Sequence, residues 1–279
     1  MTAPTRVLLA LALAAAAVLT GTVTTTGQAA RPGDAERFDT WAGYDVGRYP
    51  VAVDTADFDG DGRQDAVWAR DDFADFDEEN FNNSISVTLN LGDGTLGNPR
   101  TYPTTAQSTD VETADLDGDG DEDIAVTARD NDYANNVVDL FLNDGTGAFT
   151  HTTTTGGYAP ESITAGDVDS DGDTDLVLAN YNQFLDPDDD GVPTGTISVL
   201  RNDGSAAFTE ETVEVGNRVH DTVVADLTGD GSTDIAAVRK DEDTHGQYEL
   251  HVLEQGTNQT FAPDSEFQQV EMNTNGGVG

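Results

Sequence analysis

Short apolar runs bounded by glycine and aspartate recur along the whole chain. The runs AVWA, IAVTA, LVLA and IAAV each follow an aspartate-rich segment and are too short for helices. Segments such as ISVTLN, Ile85 to Asn90, alternate apolar and polar positions, which is typical of strands. Asn-Asp-Gly or Gly-Asp-Gly follows most of these segments and indicates a hairpin turn. The pattern predicts an all-β chain, with no helical periodicity after residue 30.

These strands belong to a unit that occurs four times. Its aspartate-rich segment reads ADFDGDGRQDAVWA, ADLDGDGDEDIAVTA, GDVDSDGDTDLVLAN and ADLTGDGSTDIAAVR, with the first aspartates at positions 57, 115, 167 and 226. A glycine-rich turn follows in each unit, and a fourth strand is expected to begin six residues into it. The turns begin at Asn90, Asn143, Asn202 and Gln255, and the fourth strands are expected from Leu96, Phe149, Phe208 and Phe261.

Four antiparallel strands in a unit of about 55 residues are typical of a β-propeller blade. We therefore expect four four-stranded antiparallel blades, over units of about 48–103, 104–158, 159–217 and 218–272.

The aspartate-rich segment has the form D-x-D-x-D-G-x-x-D, with carboxylates at loop positions 1, 3, 5 and 9. Glycine at position 6 permits a sharp turn, and position 7 can add a backbone carbonyl. Oxygen ligands in this number suit Ca²⁺ better than Mg²⁺ or zinc. The first three predicted sites are Asp57, Asp59, Asp61, Arg63 and Asp65; Asp115, Asp117, Asp119, Asp121 and Asp123; and Asp167, Asp169, Asp171, Asp173 and Asp175. The fourth is Asp226, Thr228, Asp230, Ser232 and Asp234.

The fourth predicted site is expected to be the weakest, because Thr228 replaces an acidic residue at position 3. An EF-hand shares the opening of the motif but needs a glutamate at position 12 and flanking helices. Position 12 is apolar in every copy, so an EF-hand is excluded: Trp68, Val126, Leu178 and Ala237. About four bound Ca²⁺ ions are therefore expected.

The N-terminus predicts export from the cell. Arg6 precedes the apolar run Val7 to Thr20, and a polar, threonine-rich stretch follows it. This order is typical of a secretory signal peptide, residues 1–30, with cleavage after Ala29 or Ala30. An uncleaved membrane anchor is the alternative, although the run is short for a bilayer span. Residues 31–279 would then be secreted or held at the cell surface, and with no cysteine a metal is the obvious substitute for disulfides.

The chain is strongly acidic, with 54 acidic and 12 basic residues and a formal net charge of −42. We therefore do not expect nucleic acid or an anionic membrane as a partner, because the acidic chain would repel both. Four calcium ions would leave most of this charge in place. The remaining excess fits a surface adapted to high salt, which makes a halophilic source a hypothesis.

The aspartate loops and the LN-x-G-D-G-T-L turn at Leu89 to Leu96 resemble the FG-GAP/VCBS-type repeats of integrin α-chains and many secreted prokaryotic proteins. The likeness runs from about Tyr49 to Val270, and the VCBS-like branch is closer because the Gly-Ala-Pro element is missing. It implies a β-propeller whose loop aspartates hold calcium between the first two strands of a blade. Such propellers usually have seven blades, so this chain is expected either to close with about four or to form a partial ring. A partial ring would be completed by another chain or would reflect a truncated sequence. Open strand edges would favour self-association.

The leading functional hypothesis is a secreted, calcium-dependent binding or adhesion module that presents its loops to an extracellular protein or glycan. A structural role at the cell surface and a polysaccharide-acting enzyme on a propeller scaffold are the alternatives. The histidines sit in no repeated or paired setting, and His251 is expected to have a packing role. An enzyme is therefore not expected.

Overall fold

The structure is a computed structural model that describes residues 43–71, 83–129, 136–181, 195–216, 218–241, 247–256, 259–261 and 270–271. The described residues form strands and turns, and none of them lies in a helix. No helix in this part of the chain is long and apolar enough to cross a membrane. The predicted signal peptide lies outside the described residues.

Sixteen strands form four antiparallel sheets of four, each in chain order. The first two sheets contain β1 Pro50–Asp54, β2 Ala66–Arg70, β3 Ser84–Thr88 and β4 Arg100–Pro103, then β5 Gln107–Ala114, β6 Asp123–Arg129, β7 Val137–Asn143 and β8 Phe149–Thr155. The last two contain β9 Pro160–Gly166, β10 Asp175–Asn180, β11 Thr196–Asn202 and β12 Phe208–Glu214, then β13 Val219–Ala225, β14 Asp234–Asp241, β15 Gln247–Leu253 and β16 Val270–Glu271. These sheets confirm the predicted blades.

The blades pack face to face in chain order. The inner strands β1, β5, β9 and β13 lie beside one another, and a buried apolar cluster fills each of the three blade–blade interfaces. In the first interface Val67 of β2 packs with Ile124 and Phe141 of the second blade. Burying such side chains supplies most of the stabilising free energy, about 25 cal/mol for each Å² of apolar surface.

Each inner strand carries an irregularity at the same place. The pairing of the first two strands skips one inner-strand residue in each blade, six residues before the first loop aspartate: Val51, Thr109, Glu161 and His220. A bulge increases local twist and redirects the following side chains. The side chains that follow it, including Asp110, reach the neighbouring inner strand.

Two predicted strand starts are wrong. In the first blade the fourth strand begins at Arg100, and Leu96 forms only an isolated bridge with Asn90. Pro99 lies between them and has no N–H to donate to the ladder, which explains the later start. Phe261 likewise forms an isolated bridge with Gln255, and β16 begins at Val270.

The ring is not closed between the last and first blades. Among the described residues no strand of the fourth blade packs against the first blade in the way that successive blades pack. The fourth blade completes its own sheet with β16, which pairs with β15. Of the two architectures expected from the sequence, the structure has the partial ring.

Candidate metal sites

Each aspartate loop is folded by its own position-1 carboxylate. Asp57 accepts hydrogen bonds from the N–H groups of Asp61 and Gly62, at 3.1 and 2.7 Å. Asp115 accepts from Gly118 and Gly120 at 2.8 and 3.0 Å. The third and fourth loops repeat the arrangement through Asp167 and Asp226. These bonds curl each loop around its own position-1 carboxylate.

The position-9 aspartate is buried and anchors the loop to the end of the third strand. Asp123 is 0% exposed, and its two oxygens accept the N–H groups of Leu116 at 2.9 Å and Asn143 at 2.7 Å. Asp175 does the same with Val168 and Asn202, both at 2.8 Å. Burial raises the pKa of both carboxyls to about 6, although these hydrogen bonds act in the opposite direction. Asp65 and Asp234 hold equivalent bonds in the first and fourth loops.

Three loops bring carboxylates together closely enough to share a cation. One oxygen from each member lies within 4.8 Å of the others in three groups: Asp57, Asp59 and Asp61; Asp115, Asp117 and Asp123; and Asp167, Asp169 and Asp175. The groups lie at equivalent places in the first three blades, where the loop joins the first and second strands. The donor set is entirely oxygen, which fits Ca²⁺.

One oxygen of the first group tests whether a cation fits. Oδ1 of Asp59 is buried and has no hydrogen-bond partner. A buried carboxylate oxygen without a partner costs about 1–3 kcal/mol or more, and a coordinated cation would remove that cost. In the second and third groups the pKa values of Asp117 and Asp169 are raised, first by burial and then by the neighbouring Asp119 and Asp171 charges. The residues present therefore fit a divalent cation.

The groups include only some of the predicted ligands. Position 5 belongs to the group in the first loop, whereas position 9 belongs to it in the second and third, so Asp65, Asp119 and Asp171 lie outside the closest sets. The fourth loop contributes no group among the described residues. The position-7 carbonyls remain predicted ligands: Arg63, Asp121, Asp173 and Ser232.

In the first three blades the position-7 side chain packs against the glycine-rich turn of its own blade. A Cβ added at Gly145 would lie 2.4 Å from a carboxylate oxygen of Asp121, and one at Gly204 would lie 2.7 Å from Asp173. Both glycines also have φ near +80°, at 76° and 80°. Glycine is therefore required at this turn position for two reasons: a Cβ would clash with the position-7 carboxylate, and the backbone has a positive φ.

Arginine side chains lie beside two of the groups. Arg201 places Nε 3.5 Å from Asp169 and also pairs with Glu211 at 2.6 Å. Arg63 pairs with Asp61 and donates Nε to the carbonyl of Asn90 at 3.0 Å. These cations partly offset the repulsion between the loop carboxylates.

The glycine-rich turn of each following blade holds the preceding aspartate loop. Asn143 donates Nδ2 to the carbonyl of Phe58 at 2.9 Å and to Glu122 of its own blade at 3.1 Å. Asn202 repeats this with Leu116 at 2.7 Å and Thr174 at 3.0 Å. We call this contact the inter-blade clamp. The sequence alone does not predict this contact, although an amide residue begins each turn.

The fourth blade's turn completes the series of clamps. Gln255 donates Nε2 to the carbonyl of Val168 in the third loop. The clamped residue at loop position 2 is fully buried in all three cases: Phe58, Leu116 and Val168 are each 0% exposed.

Two of the histidines lie in polar contacts within blades. His251 is 2% exposed, which agrees with its expected place in a packed strand, and it accepts a hydrogen bond from Nε of Arg239 at 2.6 Å. Burial lowers the pKa of His251. His151 contacts the buried Asp139 at 2.7 Å and stacks on Phe141. His245 lies outside the described residues.

Comparisons with known proteins agree with this architecture. The FG-GAP-like repeat profile matches residues 57–126 and 115–178, and the FG-GAP repeat profile matches 159–200. Together they span more than half of the chain. The VCBS-like branch expected from the sequence stays a prediction.

The search among curated proteins found no match. Among solved structures, a similar chain is that of "Crystal structure of BBS1N in complex with ARL6DN, soaked with mercury", with 10% identity and a TM-score of 0.30, over 73% of this chain and 77% of that one. The matched repeats coincide with the aspartate loops and the blades built around them, and the chain belongs to the FG-GAP repeat family.

Proposed function

We propose that this protein binds calcium in its aspartate loops and uses the resulting rigid blades as a secreted binding or adhesion module. The observation that carries the calcium proposal is the grouping of carboxylate oxygens within 4.8 Å at equivalent places in three blades. The fourth loop would bind more weakly, because Thr228 supplies no carboxylate.

Calcium would act on the loops as a structural ion. The loop carboxylates would be its ligands, and its charge would relieve their mutual repulsion. The protein itself supplies the remaining order, since position 1 curls the loop and position 9 ties it to the third strand. A cation bound to folded but not to unfolded chain stabilises the fold by mass action.

The binding role rests on where the chain varies in length. The segments that join the second and third strands differ between units, and in a rigid scaffold such connections commonly contact ligands. Family membership supports a binding or adhesion module of this kind. An extracellular protein or glycan is the proposed partner.

Calorimetric titration of chelator-treated protein with Ca²⁺ tests the metal sites. We expect about three stronger sites and one weaker site, with Mg²⁺ competing poorly. The variant Asp117→Asn should remove one strong site, and Asp93→Asn, which changes an aspartate outside the loops, should remove none. Absence of calcium binding by the wild-type chain would disprove the metal proposal.

A glycan and extracellular-protein array, probed with and without Ca²⁺, tests the binding role separately. We expect a restricted set of bound partners that is lost on chelation. Binding that is spread over all partners and unaffected by chelation would contradict the adhesion role while leaving the metal sites intact.

A further inference from the structure

The fourth blade presents a face that is covered in each of the other three blades. In β10 the side chains of Val177 and Ala179 point to the next blade and are fully buried. Their equivalents in β14 are Ala236, which is buried, and Val238, which is only half-buried. Leu250 and Val252 of β15 pair with Val238 and Ala236, and they too are half-buried. We call this surface, together with Val223 and Leu227, the trailing face.

The aspartate loop beside the trailing face has no inter-blade clamp among the described residues. Leu227 occupies loop position 2 and is 47% exposed. In the other three loops the residue at this position is buried under the turn of the next blade. In the part of the chain that the structure describes, the trailing face therefore lacks both the sheet and the turn that cover its counterparts.

The first blade has the complementary elements. Its turn begins with Asn90, whose Nδ2 donates to Gln64 of its own blade, as Asn143 does to Glu122. Asn143 also reaches the preceding loop, whereas no loop precedes the first blade in the described chain. The next turn residue, Leu91, is 57% exposed, and Val51 and Val53 of the inner strand are 43% and 52% exposed. We call these residues the leading edge.

The contacts between neighbouring inner strands indicate which residues of the fourth and first blades would meet. Between the third and fourth blades, Thr164 donates Oγ1 to the carbonyl of Thr222 at 2.7 Å. Thr164 lies three residues before its first loop aspartate, and Thr222 lies four before its own. The same two positions at the ends of the chain are Val223 and Val53, which are 49% and 52% exposed.

At the contact that the blade series leaves unmade, Val223 and Val53 thus stand at the positions that Thr164 and Thr222 occupy between the third and fourth blades. Two exposed valines would contribute by burial, as other apolar interface residues do. The chain's own two ends do not meet in the described structure, so a second copy is the occupant that supplies the matching elements.

We propose that the trailing face of one copy binds the leading edge of a second copy, head to tail. Val53 would pack on Val223, and the Asn90 turn would cover Leu227 as a fourth inter-blade clamp. Trp68 and Ser86 of the first blade are already buried, so the contact uses the inner strand and the turn rather than the middle of that sheet. A head-to-tail contact closes into a ring or continues as a chain of copies.

This proposal is independent of any glycan or protein ligand. It predicts a particular salt dependence, because two copies with a net charge of −42 each repel one another. Screening by salt should therefore strengthen the contact, which is the opposite of an association between oppositely charged surfaces.

Sedimentation velocity of the full chain in Ca²⁺, over a range of KCl and protein concentrations, tests the proposal. We expect the wild-type chain to sediment as at least a dimer at high salt. Val53→Glu and Val223→Glu should each sediment as monomers, because each loses one end of the contact. An equimolar mixture of the two variants should form a dimer and nothing larger, since one intact leading edge and one intact trailing face remain.

The control is Thr152→Glu, which adds the same charge to the exposed edge strand β8 and should associate like the wild type. Melting curves in Ca²⁺ check that all variants fold, and Leu91→Glu gives a second leading-edge variant. A monomeric wild-type chain under every condition overturns the proposal. Association of Val53→Glu on its own would also overturn it, because two trailing faces would then be binding each other. A mixture of the two variants that stays monomeric would overturn it as well.

Discussion

At the scale of single residues, the loop aspartates perform two different tasks that their regular spacing conceals. Asp123 uses both oxygens to hold backbone N–H groups, whereas Asp117 receives one long bond of 3.3 Å from Asp119 and otherwise faces its neighbouring carboxylates. The first is an anchor of the fold that also lies next to the proposed cation position. The second contributes little to the folded loop, and its proposed role is to bind the cation.

This division predicts different responses to substitution by asparagine. Asp123→Asn should lower the free energy of unfolding by about 1–3 kcal/mol even in chelator, because one buried N–H loses its acceptor. Asp117→Asn should leave stability in chelator almost unchanged and reduce only the stabilisation gained from Ca²⁺. Urea unfolding of both variants, each with Ca²⁺ and with chelator, measures the two effects. Equal losses for both variants in chelator would contradict the division.

Asp110 on β5 makes stability depend on pH in a region without loop ligands. It accepts the N–H groups of Val111 at 2.9 Å and of Ile163 at 3.1 Å, across the boundary between the second and third blades. Desolvation raises its pKa to about 6, and the charges of Asp221 and Asp54 act in the same direction. Because the folded pKa lies above the unfolded value of 3.8, this carboxyl stabilises the fold below about pH 4, and the contribution is lost as pH rises through 6.

We therefore expect wild-type stability to fall between about pH 4 and 6 relative to Asp110→Asn, by up to about 3 kcal/mol in total. Unfolding in urea at saturating Ca²⁺ across this range measures the difference. Asp144→Asn is the matched control, since hydrogen bonds from Thr146 lower the pKa of Asp144 and its titration lies below this range. Parallel pH profiles for the wild type and Asp110→Asn would show that Asp110 titrates normally.

At the scale of elements, the turn of one blade and the loop of the preceding blade act as one unit. The clamp joins residues that are far apart in sequence, since Asn143 and Phe58 are separated by 85 positions. Period-2 alternation and aspartate spacing are local signals, so the sixteen strands and the loops could be predicted from the sequence. The partner of Asn143 could not, because no local pattern states which carbonyl a turn amide will reach. The start of β4 was also missed, as the effect of Pro99 on the ladder outweighed the apolar Leu96.

The clamp predicts unequal effects for two turn residues that look alike in sequence. Asn143→Ala should lower the free energy of unfolding by about 1–3 kcal/mol, because the carbonyls of Phe58 and Glu122 both lose a donor and the bond to Phe58 is buried. Asn90→Ala should cost less than about 1 kcal/mol, since Asn90 donates only to Gln64 at an exposed site. Thermal unfolding of both variants in Ca²⁺ measures the contrast, and equal losses would mean that the inter-blade bond contributes little.

At the scale of the whole molecule, the net charge of −42 divides into loop carboxylates and a general acidic surface. Calcium is proposed to act on the first at a few positions, while monovalent salt would act on both by screening. The two treatments should therefore stabilise the fold separately. Binding of calcium at discrete sites would saturate, but screening continues to increase with ionic strength as the Debye length falls from about 10 Å at 0.1 M to about 3 Å at 1 M.

A melting experiment that varies Ca²⁺ and KCl independently distinguishes these contributions. Chelation should lower Tm at every KCl concentration, and the drop should be larger at low KCl because unscreened loop carboxylates repel more strongly. Low KCl should lower Tm even with excess Ca²⁺, because most of the acidic residues lie outside the loops. If Tm were independent of KCl once Ca²⁺ is saturating, the acidic surface would have no part in stability, and the hypothesis of adaptation to high salt would be wrong. If chelation had no effect at any salt concentration, the loops would not be metal sites, because groups of three carboxylates relieved of repulsion must change the stability of the fold that gathers them.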